Sequence, residues 1–143
     1  MTRRRRGLAI VGSLVLVGSL ALVAFATVAG AGSADGPMRI EIRIHYSHFT
    51  PSMIQVPAGR PVTFVISNDD PIDHEWIVGD DAVQERHRTG TEMRHDSRPT
   101  EISIPALSTR ETTITFADPV VWRYICHLPG HEAYGMVGTL VVR

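Results

Sequence analysis

From Met38 to Tyr46, apolar and polar residues alternate without a break. Met38, Ile40, Ile42, Ile44 and Tyr46 take one parity; Arg39, Glu41, Arg43 and His45 take the other. Successive side chains of an extended chain point to opposite faces, so this run calls for a strand with one buried face. Shorter pieces of the same kind follow. They are Met53 to Val56, then Val62, Phe64 and Ile66, then a strand beginning at Trp76-Ile77-Val78. Further on come Ile102 and Ile104, then Thr112, Ile114 and Phe116, then Trp122, Tyr124 and Cys126, and finally Val137 to Val142. Pro51, Pro57-Ala58-Gly59 and Asn68-Asp69-Asp70-Pro71 supply turn chemistry between them. About seven or eight short strands predict an all-β sandwich of Greek-key type over residues 38–143. Trp76, Trp122 and Tyr124 are its large core candidates.

The segment Gly79 to Thr100 breaks the pattern. It is polar and carries charges of both signs. Asp81, with Gln84 and Glu85 behind it, predicts a capped short helix over Ala82 to Arg88; the alternative is a surface loop. The role of this segment is open at the level of sequence.

Ahead of the strands lies a segment of another character. No charged residue occurs from Gly7 to Ala34, and Leu8 to Ala29 is almost wholly apolar or small. As a helix at about 1.5 Å per residue, that run reaches roughly 33 Å, enough for a bilayer core of about 30 Å. Arg3 to Arg6 precede it, and such a cluster stays on the cytoplasmic side. Two readings follow for residues 1–32: an uncut membrane anchor, or a signal peptide cleaved near Ala29-Gly30-Ala31. The length of the run favours the anchor. Residues 33–37 read as a linker. Either way the sandwich is expected outside the cytoplasm, in a periplasm or on the outer face of the cytoplasmic membrane.

Charge narrows the function. All fourteen basic residues are Arg, and four of them sit at positions 3–6. From Asp35 onward ten Arg face fifteen Asp and Glu, a net of −5. An acidic body without a basic stripe argues against nucleic-acid binding, which draws its affinity from phosphate neutralisation. Cys126 is the one cysteine, so no internal disulfide can form. No Gly-rich phosphate loop, Gly-x-Ser-x-Gly elbow or His-Glu-x-x-His motif is present, and the chain reads as no enzyme.

The chemistry concentrates near the C-terminus. Cys126, His131 and Met136 follow one another with four residues between each pair, on one loop between two predicted strands. A thiolate, an imidazole and a thioether are soft and borderline ligands that suit copper. A blue-copper site takes two His, one Cys and a weak axial Met. The second His must come from elsewhere, and His74 is placed for it, where one predicted strand ends and the next begins. Glu75 could tie the His74 strand to the Cys126 loop, or be a solvated turn charge. Backbone N–H groups around Asn68 and Glu75 are candidates to donate to the thiolate. Zinc is the main rival metal. It would need His127 as a fourth strong ligand, but His127 follows Cys126 on a strand and should point to the opposite face.

With Asn68, His74-Glu75-Trp76, Tyr124-x-Cys126-x4-His131-x4-Met136 and Gly138-Thr-Leu-Val-Val142, the chain resembles the cupredoxins. These are the type 1 blue-copper family of plastocyanin, azurin and plantacyanin, and the resemblance covers roughly Met38 to Arg143. It implies an eight-stranded Greek-key sandwich and one copper per chain, held by His74, Cys126, His131 and Met136. It also implies one-electron transfer with a partner such as a cytochrome or oxidase. The long Gly79–Thr100 segment departs from the family pattern. Two other roles stay open: an extracytoplasmic copper carrier or chaperone, and a copper subunit of a membrane respiratory complex. A multicopper oxidase is disfavoured by the single domain and the absence of His-x-His pairs. His45, His48, His87, His95 and His127 remain; their spacings show no recognised ligand pair, and they read as ordinary exposed histidines, with a second metal site as the alternative.

Overall fold

The computed structural model describes residues 36–90, 95 and 97–143. The anchor or signal segment and most of the linker therefore lie outside the described residues. No helix among the described residues is long and apolar enough to cross a membrane. The strands are β1 (Met38–His45), β2 (His48–Thr50), β3 (Met53–Val56), β4 (Pro61–Asn68) and β5 (His74–Gly79). They continue as β6 (Glu101–Ile104), β7 (Thr109–Thr115), β8 (Val120–Ile125) and β9 (Val137–Val142), with one helix, α1 (Asp81–Thr89), after β5.

Two sheets face each other, one ordered β2-β1-β4-β7 and the other β3-β9-β8-β5-β6. The β1–β4 and β3–β9 pairs are parallel; the remaining ladders are antiparallel. The expected two-sheet sandwich is present, with nine strands among the described residues rather than seven or eight. The extra one, β2, has three residues, too few for a periodic signal.

Alternation places the core. Ile42 and Ile44 of β1, with Val62, Phe64 and Ile66 of β4, point inward from the first sheet. Trp76, Val78, Ile102, Ile104, Tyr124 and Leu140 meet them from the second. Phe64 lies 4.9 Å from Trp76, ring centroid to centroid. The alternation of β1 fails at its two ends, where Met38 and Tyr46 are exposed. Tyr46 leaves the strand because it and Ser47 turn the chain with positive φ. Trp122 is half-buried, edge-on to Phe116, whereas Trp76 and Tyr124 are fully enclosed.

The Gly79–Thr100 segment begins with α1, one residue longer at each end than the sequence suggests. Its cap is Asp80, not Asp81: the Asp80 carboxylate accepts the Val83 N–H at 2.9 Å. Asp81 instead occupies the first turn, where the helix dipole favours an acid. The helix packs on the outer face of β5. Buried Gln84 aims its amide nitrogen at the carbonyls of Ile77, Gly79 and Arg123, at 3.1 to 3.3 Å. Gly79 allows the approach, since a Cβ there would sit 2.6 Å from that of Val83.

Gly138 plays a similar part on the core side. It faces Tyr124 across the β8–β9 ladder, and a Cβ on it would lie 2.0 Å from the tyrosine ring. The ring cannot retreat cheaply, because its hydroxyl donates to the Pro51 carbonyl at 2.7 Å. Gly138→Ala is expected to cost about 2–3 kcal/mol, the upper part of the range for core overpacking. Urea unfolding would measure it; an unchanged midpoint would show that the ring has room to move.

Candidate metal centre

The site forms where β5 begins and β8 ends. Asn68 closes the turn ahead of β5. Its amide nitrogen donates to the carbonyls of Ile72 at 2.8 Å and Pro105 at 3.0 Å, and its oxygen accepts the Asp70 N–H at 2.9 Å. Asn68 is thus a builder of the turn rather than a donor to the thiol. The turn carries Asp70 back toward β5. There its carboxylate accepts the N–H groups of Tyr46 and Ser47 at 2.7 and 2.8 Å. The same carboxylate lies 3.0 Å from His74 Nε2. Nε2 therefore carries the hydrogen, and Nδ1 of the neutral ring turns its lone pair inward.

The C-terminal loop brings the other groups. Gly130, with φ of +86°, makes the tight turn after Pro129, and the His131 N–H donates to the Leu128 carbonyl at 3.0 Å. Gly135, with φ of +93°, makes the second turn, before Met136. The Cys126 N–H donates to the Met136 carbonyl, and the Met136 N–H to the His131 carbonyl. These bonds fold His131 back: its Nδ1 lies 3.2 Å from Cys126 Sγ and 3.1 Å from His74 Nδ1. The donor atoms of His74, Cys126 and His131 all fall within 4.8 Å of one another. Met136 is fully buried in the core cluster that includes Cys126. His131 alone of the four is half-exposed.

Glu75 ties the two chain segments together. Its carboxylate accepts the His127 N–H at 2.7 Å, immediately after Cys126. Backbone N–H groups of Glu75 and Leu128 donate to the Cys126 sulfur. His127 points away from the cluster, the expected direction although it lies two residues past the end of β8, with Nε2 2.7 Å from the Gln84 side-chain oxygen.

Burial governs the protonation states. It pushes the Cys126 thiol up to about 12, against the two backbone donors, so the metal-free site holds a thiol rather than a thiolate. Burial also lowers the pKa of His74, opposed by Asp70, and that of His131, helped by the neighbouring His74. Burial works against the Asp70 carboxylate too. The Ser47 and Tyr46 N–H donors and His74 outweigh it and hold Asp70 below the usual carboxylate range. Two neutral imidazoles and a thiol converging in a water-poor wall are groups that a soft or borderline cation can bridge.

A family model of the cupredoxin-like domain matches residues 18–142. The chain belongs to the cupredoxin-like family. Among its relatives, the copper-resistant cuproprotein CopI of Pseudomonas aeruginosa is 27% identical over 146 residues, spanning 79% of this chain and 80% of that protein. CopI of Rubrivivax gelatinosus is 33% identical over 99 residues, 66% of this chain and 59% of that one. Among solved structures, auracyanin A, a "blue" copper protein of Chloroflexus aurantiacus, superposes with a TM-score of 0.60 at 27% identity. That match covers 76% of this chain and all of auracyanin A. Auracyanin B has the same fold, with a TM-score of 0.63 at 24% identity, over 76% of this chain and 91% of its own.

Sequence reasoning missed Asp70. Asp69, Asp70 and Asp73 all stand within five residues of His74, and Asp69 and Asp70 read as turn residues. A carboxylate near a candidate ligand His is a usable signal, since ligating imidazoles generally donate their second N–H to one. Which acid does so depends on the turn. The reading of the remaining histidines as exposed also needs correction. His48 is exposed and His45 half-buried, but His95 is buried, and the side chains of His87 and His127 are only 4% and 2% exposed. His87 is on the inner side of α1, with His95 against its ring and His127 against Gln84, a cover that their spacing in sequence does not announce.

The lowered His74 and His131 pKa values fix a pH dependence for this cupredoxin without metal. Unfolded histidines titrate near 6.5, above the folded values, so below that pH protons favour the unfolded chain. This share of stability is complete above pH 6.5 and is lost as pH falls toward the folded pKa values. The urea midpoint of the metal-free full chain should be lower at about pH 5.5 than at about pH 7.5. Equal midpoints would contradict the burial argument.

Proposed function

We propose that this cupredoxin would hold one copper ion through His74, Cys126, His131 and the thioether of Met136, and acts as a one-electron carrier outside the cytoplasm. The observation that carries this reading is the convergence of Cys126 Sγ with the Nδ1 atoms of His74 and His131, at 3.2 and 3.1 Å from His131 Nδ1. The chemistry of the donor set fits copper. One sulfur, two imidazoles and a buried thioether suit it, whereas structural zinc prefers four strong Cys or His ligands, and His127 points elsewhere.

Copper in such a site supplies a one-electron couple between Cu(I) and Cu(II). The chain's own residues do the rest. Asp70 fixes the ring of His74 in one tautomer. The backbone donors of Glu75 and Leu128 stabilise negative charge on the Cys126 sulfur. The Glu75–His127 bond and the Cys126–Met136 backbone bond hold the loop against β5, so little has to move when the charge of the site changes. The buried side chains of Trp76, Ile104 and Met136 keep water out. Half-exposed His131 offers its imidazole edge to a partner. The net negative body favours a partner with a basic docking patch, such as a cytochrome or an oxidase. The arginine-led apolar run at residues 8–29 supports a place on the outer face of a membrane.

The CopI relatives are named copper-resistant cuproproteins, which supports copper binding in its own right; a second reading is an extracytoplasmic copper-binding carrier that passes the metal on. Membership of a membrane respiratory complex would differ from the lead reading in having a permanent partner. Retention separates carrier from electron-transfer protein: an electron carrier keeps its copper through repeated oxidation and reduction, and a delivery protein surrenders it to an acceptor.

Titrating the full chain with Cu(II) should raise an intense visible thiolate-to-copper band that saturates at one copper per chain, bleaches on reduction and returns on oxidation. Cys126→Ser should abolish the band; an unchanged spectrum in that variant would refute the ligand assignment. Met136→Gln should keep the copper and shift the reduction potential. An unshifted potential would show that Met136 is not a ligand.

A further inference from the structure

Strand β5 has a second face, and it carries a second cluster of ligand-type side chains. Glu75 and Ile77 point outward there, opposite Ser103 and Glu101 of β6. Above them lie His87 of α1 and His95, whose backbone is pinned to Ser103 by two bonds of 2.7 Å. The His87 and His95 rings meet edge-on at 4.7 Å between centroids. One ligand atom from each of His87, His95 and Glu101 falls within a common 4.8 Å. All three side chains are more than nine-tenths buried.

The orientation of His87 is informative. Its Nδ1 lies 2.8 Å from the Val83 carbonyl, which can only accept, so Nδ1 carries a hydrogen. In the neutral ring Nε2 is then a lone pair, and it faces Glu101 Oε2, another acceptor, at 3.5 Å. Two acceptors aimed at each other in a buried place call for a positive charge between them. The separation is longer than a charge-assisted hydrogen bond of about 2.7–2.9 Å. It matches the roughly 3.3 Å between donors on a tetrahedral ion with bonds near 2.0–2.1 Å. The other oxygen of Glu101 is engaged by Arg98 at 2.9 Å and by Arg86. Both guanidinium groups are more than half exposed, so water screens their charge, and Oε2 is left for the cluster.

We propose that His87, His95 and Glu101 form a second metal site, separate from the Cys126 centre, for a borderline divalent transition ion such as zinc. Two imidazoles and one carboxylate match the zinc-type donor set, with the fourth position left to water. The site lies on the opposite side of the same sheet. Glu75 stands between the two: one carboxylate oxygen accepts the His127 N–H and the other lies 3.5 Å from His95 Nε2. An ion here would pin α1 and the His95 segment to β6.

The test is zinc stoichiometry. Full chain loaded with one copper, exposed to zinc and desalted, should retain one zinc per chain and keep its visible band. In His87→Gln/His95→Gln the band should persist while zinc affinity falls by at least about tenfold, the loss that removal of even an outer partner of a ligand can cause. Retention of no zinc by the copper-loaded wild type would overturn the proposal, as would zinc binding by the double variant at wild-type strength. X-ray absorption at the zinc edge of Cys126→Ser/His131→Ala, which dismantles the inner cluster, guards against misfolding of the His87→Gln/His95→Gln variant and against failure of the copper reading. Imidazole nitrogen and oxygen neighbours at one zinc per chain would support the outer site, and absence of bound zinc in that variant would count against it.

Discussion

Both faces of β5 are buried, so the imidazole of His74 and the carboxylate of Glu75 must find their partners inside the protein. That requirement organises the molecule around it. On the core side His74 receives Asp70, and Asp70 is in turn satisfied by the turn after β1. On the outer side Glu75 receives the His127 N–H. The carbonyls of Ile77 and Gly79, at the end of the strand, receive the amide of Gln84 from α1. A buried acid or imidazole left without these partners would cost several kcal/mol or change its protonation state. The turn before β5, the helix after it and the loop beyond β8 are therefore held to the same strand by the same need.

The cupredoxin centre gains its rigidity from this arrangement. Its groups come from two places far apart in sequence, and each is fixed by bonds that do not involve a metal. His74 is oriented by a carboxylate, Cys126 by backbone donors, and the loop to Met136 by two turns that use glycine at positive φ. A site whose donors are placed before the ion arrives demands little rearrangement when the charge on the ion changes. The burial that lifts the thiol to about 12 also keeps both imidazoles neutral, which leaves nitrogen lone pairs ready for a cation.

Strand alternation also explains why adjacent residues have such different surroundings. His74 and Cys126 belong to the inner cluster, while the side chains of their neighbours Glu75 and His127 lie on the outer side, where Glu75 accepts the His127 N–H and the His127 ring meets Gln84. The dipeptides His74-Glu75 and Cys126-His127 each send one side chain to either side of the sheet. The glycines at 79 and 138 serve this same two-sided packing. One admits α1 against the outer face, and the other admits the Tyr124 ring against the inner one.

Local pattern alone determined the strands other than β2, the inward parity of Ile42, Ile44, Phe64 and Trp76, the family resemblance, and the grouping of Cys126, His131 and Met136 on one loop. These follow from period-two alternation and from spacing, which are short-range properties of a chain. Tertiary structure alone decided that Asp70, rather than Asp69 or Asp73, meets His74, because only the closed turn sets which carboxylate reaches the ring. It also decided that Asp80 caps α1, that Asn68 serves the turn instead of the thiol, and that three histidines expected to be exposed are enclosed, one on the inner side of α1 and two packed against it. His87, His95 and Glu101 come from a helix, a connecting segment and a strand, and no spacing in the chain records their meeting. Contacts between segments distant in sequence depend on how sheets and helix pack, and that is where the physical reach of a sequence pattern ends.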